Sequence, residues 1–303
     1  MDVIKKIDIH AHAMPFRNIA PIYARGVSLI HAPDLINLYD QLNIEKGVLL
    51  PLVSPEYHPA PISTAECLYS VEKYPDRFVW FCNVDPRACG NKPDADFTPL
   101  LEYYKSLGAR GVGEVTAQLY ADDPYMDNFF YHCAACDLPV TIHIAPKFGG
   151  GYGIVDELGL PRLEKMLKKH PNLKILGHSQ PFWAEIGTNV TDENRRSYPQ
   201  GKVEEGRLAE LMRKYENLYC DLSAGSGSRA LMRDPEYAAK FINEFSDRIL
   251  YGCDICLVVN ANFAFEFDAF LTKLCTDGMI SEENYYKVVR GNAIKLLKLE
   301  EDK

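Results

Sequence analysis

The sequence lacks long hydrophobic runs. Among its 303 residues there is no apolar stretch of about 18 or more, the length that a membrane-spanning helix needs. No signal-peptide pattern is visible at the N-terminus, where Asp2 is followed at once by a strand pattern. We therefore expect a cytoplasmic protein that does not span a membrane.

Positive charge is also scarce. The chain has 33 lysines and arginines against 42 aspartates and glutamates, which gives a formal net charge of −9. Because nucleic acids and anionic membrane surfaces attract proteins mainly through lysine and arginine, neither is an expected partner. A small-molecule substrate is the partner that we expect, and homo-oligomer formation stays open.

Neither a disulfide framework nor a dinucleotide-binding loop is indicated. The nine cysteines are an odd number and fall mostly inside apolar runs, which is typical of buried, reduced thiols. Two Cys-x-x-Cys pairs, Cys133/Cys136 and Cys253/Cys256, leave a zinc site open, but core packing is the better interpretation. No Gly-x-Gly-x-x-Gly follows the first apolar run, which argues against dinucleotide binding.

What the chain does contain is a regular alternation of short apolar runs and amphipathic helical patterns. The runs predict strands at 3–9, 47–51, 77–83, 109–115, 138–144, 173–178, 217–222 and 248–253. Most are continuous Val, Ile, Leu and Phe, as in parallel strands buried on both faces. We predict an α/β fold over a single domain, 1–303, namely a (β/α)8 TIM-like barrel with extra C-terminal helices near 263–275 and 281–298. A doubly wound open sheet is the alternative.

Histidines and carboxylates stand at the ends of these runs, where a barrel places its chemistry. These residues are His10, His12, Glu114, His143, His178, Asp221 and Asp254. His10 and His12 are one residue apart, so in a strand their side chains point to the same face. Neutral imidazole is the commonest protein ligand for divalent transition metals, so the four histidines with Asp254 predict a metal site. Asp221 is equally well explained as a hydrogen-bonded residue at a strand end.

Six motifs occur in an order that resembles a known family. They are Ile7-Asp8-Ile9-His10-Ala11-His12, Leu138-Pro139-Val140-Thr141-Ile142-His143, Leu176-Gly177-His178-Ser179, Cys220-Asp221-Leu222-Ser223-Ala224-Gly225, Tyr251-Gly252-Cys253-Asp254 and Gly291-Asn292-Ala293. Together they resemble the metal-dependent amidohydrolase superfamily over nearly the whole chain. The resemblance is to the amidohydrolase-related branch that includes aminocarboxymuconate semialdehyde decarboxylase, resorcylate decarboxylases and related hydrolases and hydratases.

This resemblance implies a TIM-like barrel that binds a divalent metal ion, usually Zn²⁺. The residues that correspond to metal ligands are His10, His12, His143 and Asp254. His178 corresponds to a sixth-strand histidine that binds a second metal or acts on the substrate or the water. Binuclear relatives carry a carboxylated lysine where this chain has Glu114, so Glu114 is expected as an additional ligand or as a partner of the ligands. One ion is favoured, and a second stays open because a carboxylate also bridges.

The predicted site suits hydrolysis by a metal-activated water. Asp254 would take a proton from the water, and His178 would stabilise the developing oxyanion. The expected substrate is a small, carboxylate-bearing ester, lactone or amide-like compound. The same residues suit non-oxidative decarboxylation of an aromatic or muconate-type acid, with Asp254 or His178 delivering a proton to carbon. A catalytically inactive metal-binding module is the third interpretation.

Two long connections, roughly 145–160 and 179–203, are candidate binding loops or lids, the first with a glycine run at 149–151. Basic side chains that would bind an anionic substrate, unless they are simply solvated, are Arg17, Arg25, Lys147, Arg195 and Arg196. Aromatic candidates for a pocket wall, or for core packing, are Phe16, Tyr57, Phe148, Tyr152, Phe182 and Trp183.

Overall fold

All eight predicted runs form parallel strands. The computed structural model describes residues 4–16, 22–23, 27–57, 61–149 and 151–299. The strands are β1 (Lys6–Ala11), β2 (Ile44–Leu49), β3 (Phe78–Trp80), β4 (Val112–Val115), β5 (Val140–Ala145), β6 (Ile175–His178), β7 (Leu218–Asp221) and β8 (Ile249–Leu250). Short strands also occur at Ile22–Tyr23, Val27–Ser28 and Ile154–Val155.

The strands pair in sequence order and close into a barrel. β1, β2 and β3 form one run of neighbours, and β4 to β8 form another. Between β3 and β4, Cys82 pairs in parallel with Val112, and the Cys82 N–H donates to the Gly111 carbonyl at 3.0 Å. Between β1 and the end of β8, the Ile9 N–H donates to the Tyr251 carbonyl at 3.0 Å. These contacts confirm the TIM-like barrel.

Helices connect the strands and follow the last one. They are α1 (Ala32–Leu42), α2 (Thr64–Lys73), α3 (Ala88–Asn91), α4 (Thr98–Ser106), α5 (Pro124–Ala135), α6 (Pro161–Lys169), α7 (Gln180–Ala184), α8 (Arg207–Lys214), α9 (Ala224–Met232), α10 (Pro235–Phe245), α11 (Ala261–Thr276), α12 (Glu282–Tyr286) and α13 (Asn292–Leu297). Short 3-10 turns lie at Pro55–Tyr57, Ser246–Arg248 and Val258–Asn260, and a π-helical segment lies at Lys287–Gly291. Within the described ranges, no helix combines the length and the apolar character needed to cross a lipid bilayer.

Apolar residues fill the interior of the barrel below the predicted site. This interior core consists of Ile7, Ile9, Val48, Leu50, Phe81, Leu176 and Leu250, together with Ala293, Ile294, Leu296 and Leu297 of α13. A larger core lies between the sheet and the surrounding helices. The predicted C-terminal helices are therefore present, and the last of them completes the packing of the barrel interior.

A bulge in β1 turns His10 toward the site. The pairing of β1 with β2 is irregular between Asp8 and Ala11, and an Asp8 carboxylate oxygen accepts a hydrogen bond from the His10 N–H at 3.0 Å. Bulges re-aim side chains and are common beside active sites. Here the bulge lets Ile9 join the interior core while the next residue, His10, faces the polar end of the barrel.

The first and the last strand of the barrel end at residues other than those predicted. β1 was expected to end at residue 9, but it continues to Ala11 because Ala11 still pairs with Leu49 of β2. β8 was expected to reach residue 253 but ends at Leu250. The chain then turns, and Asp254 adopts a left-handed backbone conformation with φ of 49°.

Candidate metal centre

His10 and His12 bring two imidazole nitrogens together. Their Nε2 atoms lie 3.0 Å apart. His12 Nδ1 donates to the Leu50 carbonyl at 2.8 Å, and His10 Nδ1 donates to Asp221 Oδ2 at 2.6 Å. Because a carbonyl or carboxylate oxygen only accepts, Nδ1 of each ring carries a proton, and the neutral form of each ring has its lone pair on Nε2. Two converging lone pairs suit a cation, which confirms that these histidines share one face.

Two carboxylates border the same point. Glu114 Oε2 lies 3.3 Å from His12 Nε2 and 3.7 Å from His10 Nε2. Asp254 Oδ1 lies 3.7 Å and 3.9 Å from the same two nitrogens. Four of the predicted residues therefore converge within a few ångströms, and their atoms are the nitrogen and oxygen donors that divalent ions prefer.

The other oxygen of Glu114 faces a second pair of histidines. Glu114 Oε1 accepts a hydrogen bond from His143 Nδ1 at 2.6 Å and lies 4.0 Å from His178 Nε2. The ligand atoms of His10, Glu114 and His178 all lie within 4.8 Å of one another. The same is true of the ligand atoms of His10, His12 and Asp254. Glu114 thus lies between the two histidine pairs, with one oxygen toward each.

Burial and charge act against each other on the histidines. Burial alone would lower the pKa of His10, but the negative charges of Asp221 and Asp254 outweigh it and raise the pKa well above its usual value. For His178, burial and the nearby His10 act in the same direction and lower the pKa to about 3. The His178 ring is therefore neutral near pH 7.

The pKa values of the two carboxylates shift in opposite directions. Burial alone would raise the pKa of Glu114, but the neighbouring His143, His10 and His12 outweigh it and hold the pKa well below its usual range. For Asp254, burial dominates and raises the pKa above its usual value. Of the two, Asp254 is therefore the stronger base in its ionised form, and its side chain is 19% exposed.

Asp221 positions the first histidine, a role that its place at a strand end left undecided. The side chain is fully buried at the end of β7. Oδ2 accepts the His10 Nδ1–H, and Oδ1 accepts the Ser223 N–H at 2.9 Å. Carboxylates bound to the far nitrogen of a ligating histidine fix its tautomer and orientation. The signal in the sequence was present but shared with any polar strand end.

Asp8 is a second buried carboxylate that sequence reasoning did not assign. Besides the His10 N–H, it accepts hydrogen bonds from the Tyr39 hydroxyl at 2.6 Å and the Cys253 N–H at 2.9 Å. Burial raises the pKa of Asp8 to about 6. Asp8 therefore joins β1, α1 and the segment after β8 directly beneath the histidines. An aspartate inside an otherwise apolar strand was the available signal.

A cavity of about 300 Å³ opens above the cluster. His143, His178 and Asp254 line it, together with four side chains from the two long connections, Lys147, Tyr152, Arg196 and Tyr198. Gly149 and Gly151 also line it. Both loops therefore contribute to the cavity, as predicted, and two of the predicted basic residues face it.

Arg195 does not line the cavity but is buried, where it connects neighbouring segments of the chain. It is fully buried, its Nη1 donates to the Asp156 carbonyl at 3.0 Å, and its Nη2 lies 3.8 Å from Glu185. Phe182 and Trp183 are likewise buried in the core. Phe16 and Phe148 are exposed. Arg17, Arg25 and Gly150 lie outside the described residues, as does the side chain of Tyr57.

Comparison with known proteins identifies the family and the fold. The model of the amidohydrolase family matches residues 7–299. Among solved structures, an uncharacterised TIM-barrel protein of Bordetella bronchiseptica is 18% identical with a TM-score of 0.67, covering 98% of this chain and 99% of its own. A Pseudomonas putida protein provisionally described as a 2-pyrone-4,6-dicarboxylic acid hydrolase is 15% identical with a TM-score of 0.64, covering 98% and 99%.

A third solved structure is a 5-carboxyvanillate decarboxylase from Novosphingobium aromaticivorans, complexed with manganese and 4-hydroxy-3-methoxy-5-nitrobenzoic acid. It is 19% identical with a TM-score of 0.58, covering 88% of this chain and 80% of its own. At these identities the three structures show a shared fold. No curated protein sequence matches the chain.

Proposed function

The chain belongs to the amidohydrolase family, and from that premise we propose that it is a metal-dependent hydrolase of a small, carboxylate-bearing ester, lactone or amide-like substrate. One observation carries the proposal, the position of Asp254 at the boundary between the histidine cluster and the cavity. Its Oδ1 is 3.7 Å from His12 Nε2 and its Oδ2 is 3.9 Å from His178 Nε2, while the residue also lines the cavity. A catalytic centre needs such an open side.

The donor set fits a divalent ion, for which zinc is our first proposal. His10, His12, Asp254 and Glu114 would hold it, because the two histidine lone pairs converge beside two carboxylates. Bound there, such an ion supplies Lewis acidity that polarises a substrate carbonyl and eases deprotonation of a water. A second ion beside the other oxygen of Glu114 would need the Nε2 lone pair of His178, so it is an alternative to the oxyanion role that we give to His178 below.

Asp254 is the proposed proton carrier. A carboxylate between the cluster and the cavity is placed to accept a proton from an attacking water and to return it to the leaving group. Burial raises the pKa of Asp254, which makes its carboxylate more basic than an exposed one. Its backbone is fixed for this task because the Asp254 N–H donates to the His10 carbonyl at 2.9 Å.

His178 is the proposed donor to the developing oxyanion. Its Nδ1 lies 2.9 Å from Ser223 Oγ, and its Nε2 faces Asp254 and the cavity. When the Ser223 hydroxyl donates to Nδ1, the ring carries its proton on Nε2, where it donates into the cavity. A neutral imidazole held in this way stabilises negative charge without giving up its proton.

The cavity wall supports an anionic substrate. Lys147 and Arg196 face the cavity from the two long connections, and Gln118 and Asn260 add polar side chains. A volume of about 300 Å³ lies at the lower end of the range for small-molecule sites. We therefore propose a substrate of about the size of one substituted ring, with its carboxylate toward the basic residues.

Non-oxidative decarboxylation is the second candidate. The observation that favours it is the shared fold with the 5-carboxyvanillate decarboxylase bound to manganese and a benzoic acid. In that reaction Asp254 or His178 would deliver a proton to the carbon that loses carbon dioxide.

Isotope labelling of the product separates the two candidates. The zinc- and manganese-reconstituted protein is incubated in ¹⁸O-water with a panel of lactones and esters, including 2-pyrone-4,6-dicarboxylate, and a panel of aromatic and muconate-type acids, including 5-carboxyvanillate. We expect ¹⁸O in a new product carboxylate and no carbon dioxide. Carbon dioxide release without ¹⁸O incorporation would reject hydrolysis and support decarboxylation. Chelator-treated protein is the control for metal dependence.

A further inference from the structure

The nitrogen atoms of the Arg233 guanidinium are buried and have no hydrogen-bond partner among the described residues. Arg233 follows the last residue of α9, and its Nε, Nη1 and Nη2 atoms are all shielded from solvent. Within the described ranges of the chain, none of the three atoms has a hydrogen-bond partner. Arg195 shows the contrasting case, because its buried guanidinium donates to two carbonyl groups of a neighbouring loop. The three shielded nitrogen atoms of Arg233 lack that compensation.

The adjacent carboxylate does not form an ion pair with Arg233. Asp234 Oδ1 accepts the Tyr237 N–H at 3.2 Å, and Oδ2 accepts the Val203 N–H at 2.9 Å. Among the described residues, Arg233 forms no ion pair with Asp234 or any other acid at 4.0 Å or less. A guanidinium keeps its proton at any pH at which proteins are folded, so the charge persists.

A small cavity lies against this charge. Its space for a water-sized body is about 10 Å³, close to the volume that one ordered water needs. Arg233 lines it, and so do three residues that also line the substrate cavity, Gln180, Tyr198 and Ser226. The two cavities are therefore neighbours that share one wall.

Small residues make room for the guanidinium. The side chain of a helical residue covers the turn that precedes it, and Ala230 and Ser226 stand three and seven residues before Arg233. Gly187 lies on the other side, where a Cβ atom would come within 2.7 Å of Arg233 Nη2. Residues with little or no side chain therefore border part of the path of the Arg233 side chain.

We propose that Arg233 forms an anion-binding site beside the substrate cavity, occupied by one small anion. A forked guanidinium is the donor group best matched to such a ligand. The anion comes either from solution, as a halide ion, or from a carboxylate of the molecule in the substrate cavity. The second source rests on the proposed function, whereas the first is independent of it.

Thermal unfolding in chloride tests the first source. The melting temperature of the wild type is measured at constant ionic strength while sodium chloride replaces sodium gluconate, whose anion is too large for the small cavity. We expect a saturable rise of about 2 °C or more, because a ligand of the folded state raises its stability. Arg233→Met should lose the rise, and the matched control Arg110→Met, which removes an exposed arginine, should keep it.

Binding of two aromatic acids tests the second source. Benzoate carries one carboxylate and isophthalate carries two. If the substrate supplies the anion, the wild type binds isophthalate about 10-fold or more tightly than benzoate, and Arg233→Met removes the difference. Wild-type and Arg233→Met proteins with the same chloride response and the same preference between the two acids would overturn the proposal.

Crystals of the wild type give an answer that does not depend on a variant folding. After soaking in sodium bromide and isophthalate, anomalous bromide density or a carboxylate at the Arg233 guanidinium supports the site. A guanidinium contacted by water alone overturns it. Neither this readout nor the chloride response requires turnover. A protein that responds to chloride through Arg233 but hydrolyses nothing would contradict only the proposed function.

Discussion

Replacing Asp221 by asparagine tests how the metal ligands are oriented. The carboxylate uses its two oxygens separately, Oδ2 for the His10 Nδ1–H at 2.6 Å and Oδ1 for the Ser223 N–H at 2.9 Å. An asparagine has one acceptor oxygen. If that oxygen faces Ser223, the amide N–H₂ faces His10 and drives the ring proton to Nε2, the atom that should bind metal. If the asparagine oxygen faces His10, the amide N–H₂ group faces the Ser223 N–H, so that two donors oppose each other.

Either orientation removes one charge-assisted hydrogen bond at a buried site. Such bonds contribute about 1.5–3 kcal/mol, which corresponds to a loss of roughly 10- to 150-fold in affinity. Outer partners of metal-bound histidines show a similar range, about 10- to 100-fold. We therefore expect the dissociation constant for zinc, measured by competition with a chromophoric chelator, to rise by one to two orders of magnitude in Asp221→Asn.

Asp234→Asn is the matched control for this experiment. Asp234 also uses its two oxygens for two donors, Tyr237 N–H and Val203 N–H, but neither donor belongs to a metal ligand. It should lose stability without losing zinc affinity. An Asp221→Asn protein that is folded and binds zinc as tightly as the wild type would refute the assignment of Asp221 as the residue that positions His10.

Three further predictions follow from the site and its surroundings. Asp254→Asn should lower kcat by about 10²- to 10⁴-fold while the melting temperature stays near that of the wild type, and retained turnover would reject its role as proton carrier. Gly113→Ala should lower the free energy of unfolding in urea by about 1–3 kcal/mol more than Gly159→Ala. Both glycines have positive φ, 131° and 80°, but only at Gly113 would a Cβ meet a backbone oxygen, at 2.6 Å, so equal losses would contradict the steric argument. Burial raises the pKa of Asp156 from 3.8 to about 7, so the folded protein binds this proton more tightly than the unfolded chain. The stability that this provides is complete below pH 3.8 and is lost as the pH rises through about 7. The melting temperature of the wild type minus that of Asp156→Asn should therefore fall over this interval, and a difference that rises would contradict the account.

The strands and the positions of the proposed metal ligands were predictable because both follow from local pattern. A barrel places strand ends at one rim, so His178 and Glu114 could be located from the ends of apolar runs without knowledge of any long-range contact. The i, i+2 rule placed His10 and His12 together, and the structure confirms this with Nε2 atoms 3.0 Å apart. At the bulge that turns His10 inward, the Asp8 carboxylate accepts the His10 N–H, a contact that the pattern alone did not reveal.

Residues whose roles depend on contacts between distant loops were not predictable. Arg195 has the sequence context of a surface or substrate-binding arginine, but the fold buries it against the Asp156 carbonyl, 39 residues away along the chain. Arg233 ends a helix in a polar segment that is typical of solvated surface. Its burial becomes visible only when the connection that contains Gly187 packs beside α9. Local periodicity carries no information about such neighbours.

We propose above all that His10 and His12 hold a divalent ion at the polar end of the barrel. The most direct test is the metal content of the purified, zinc-reconstituted protein, measured by plasma mass spectrometry beside the His10→Ala/His12→Ala variant, with folding of both checked by circular dichroism. We expect at least one tightly bound ion per wild-type chain and none in the folded variant. Equal metal content in the two proteins, or a reconstituted wild type without metal, would contradict it.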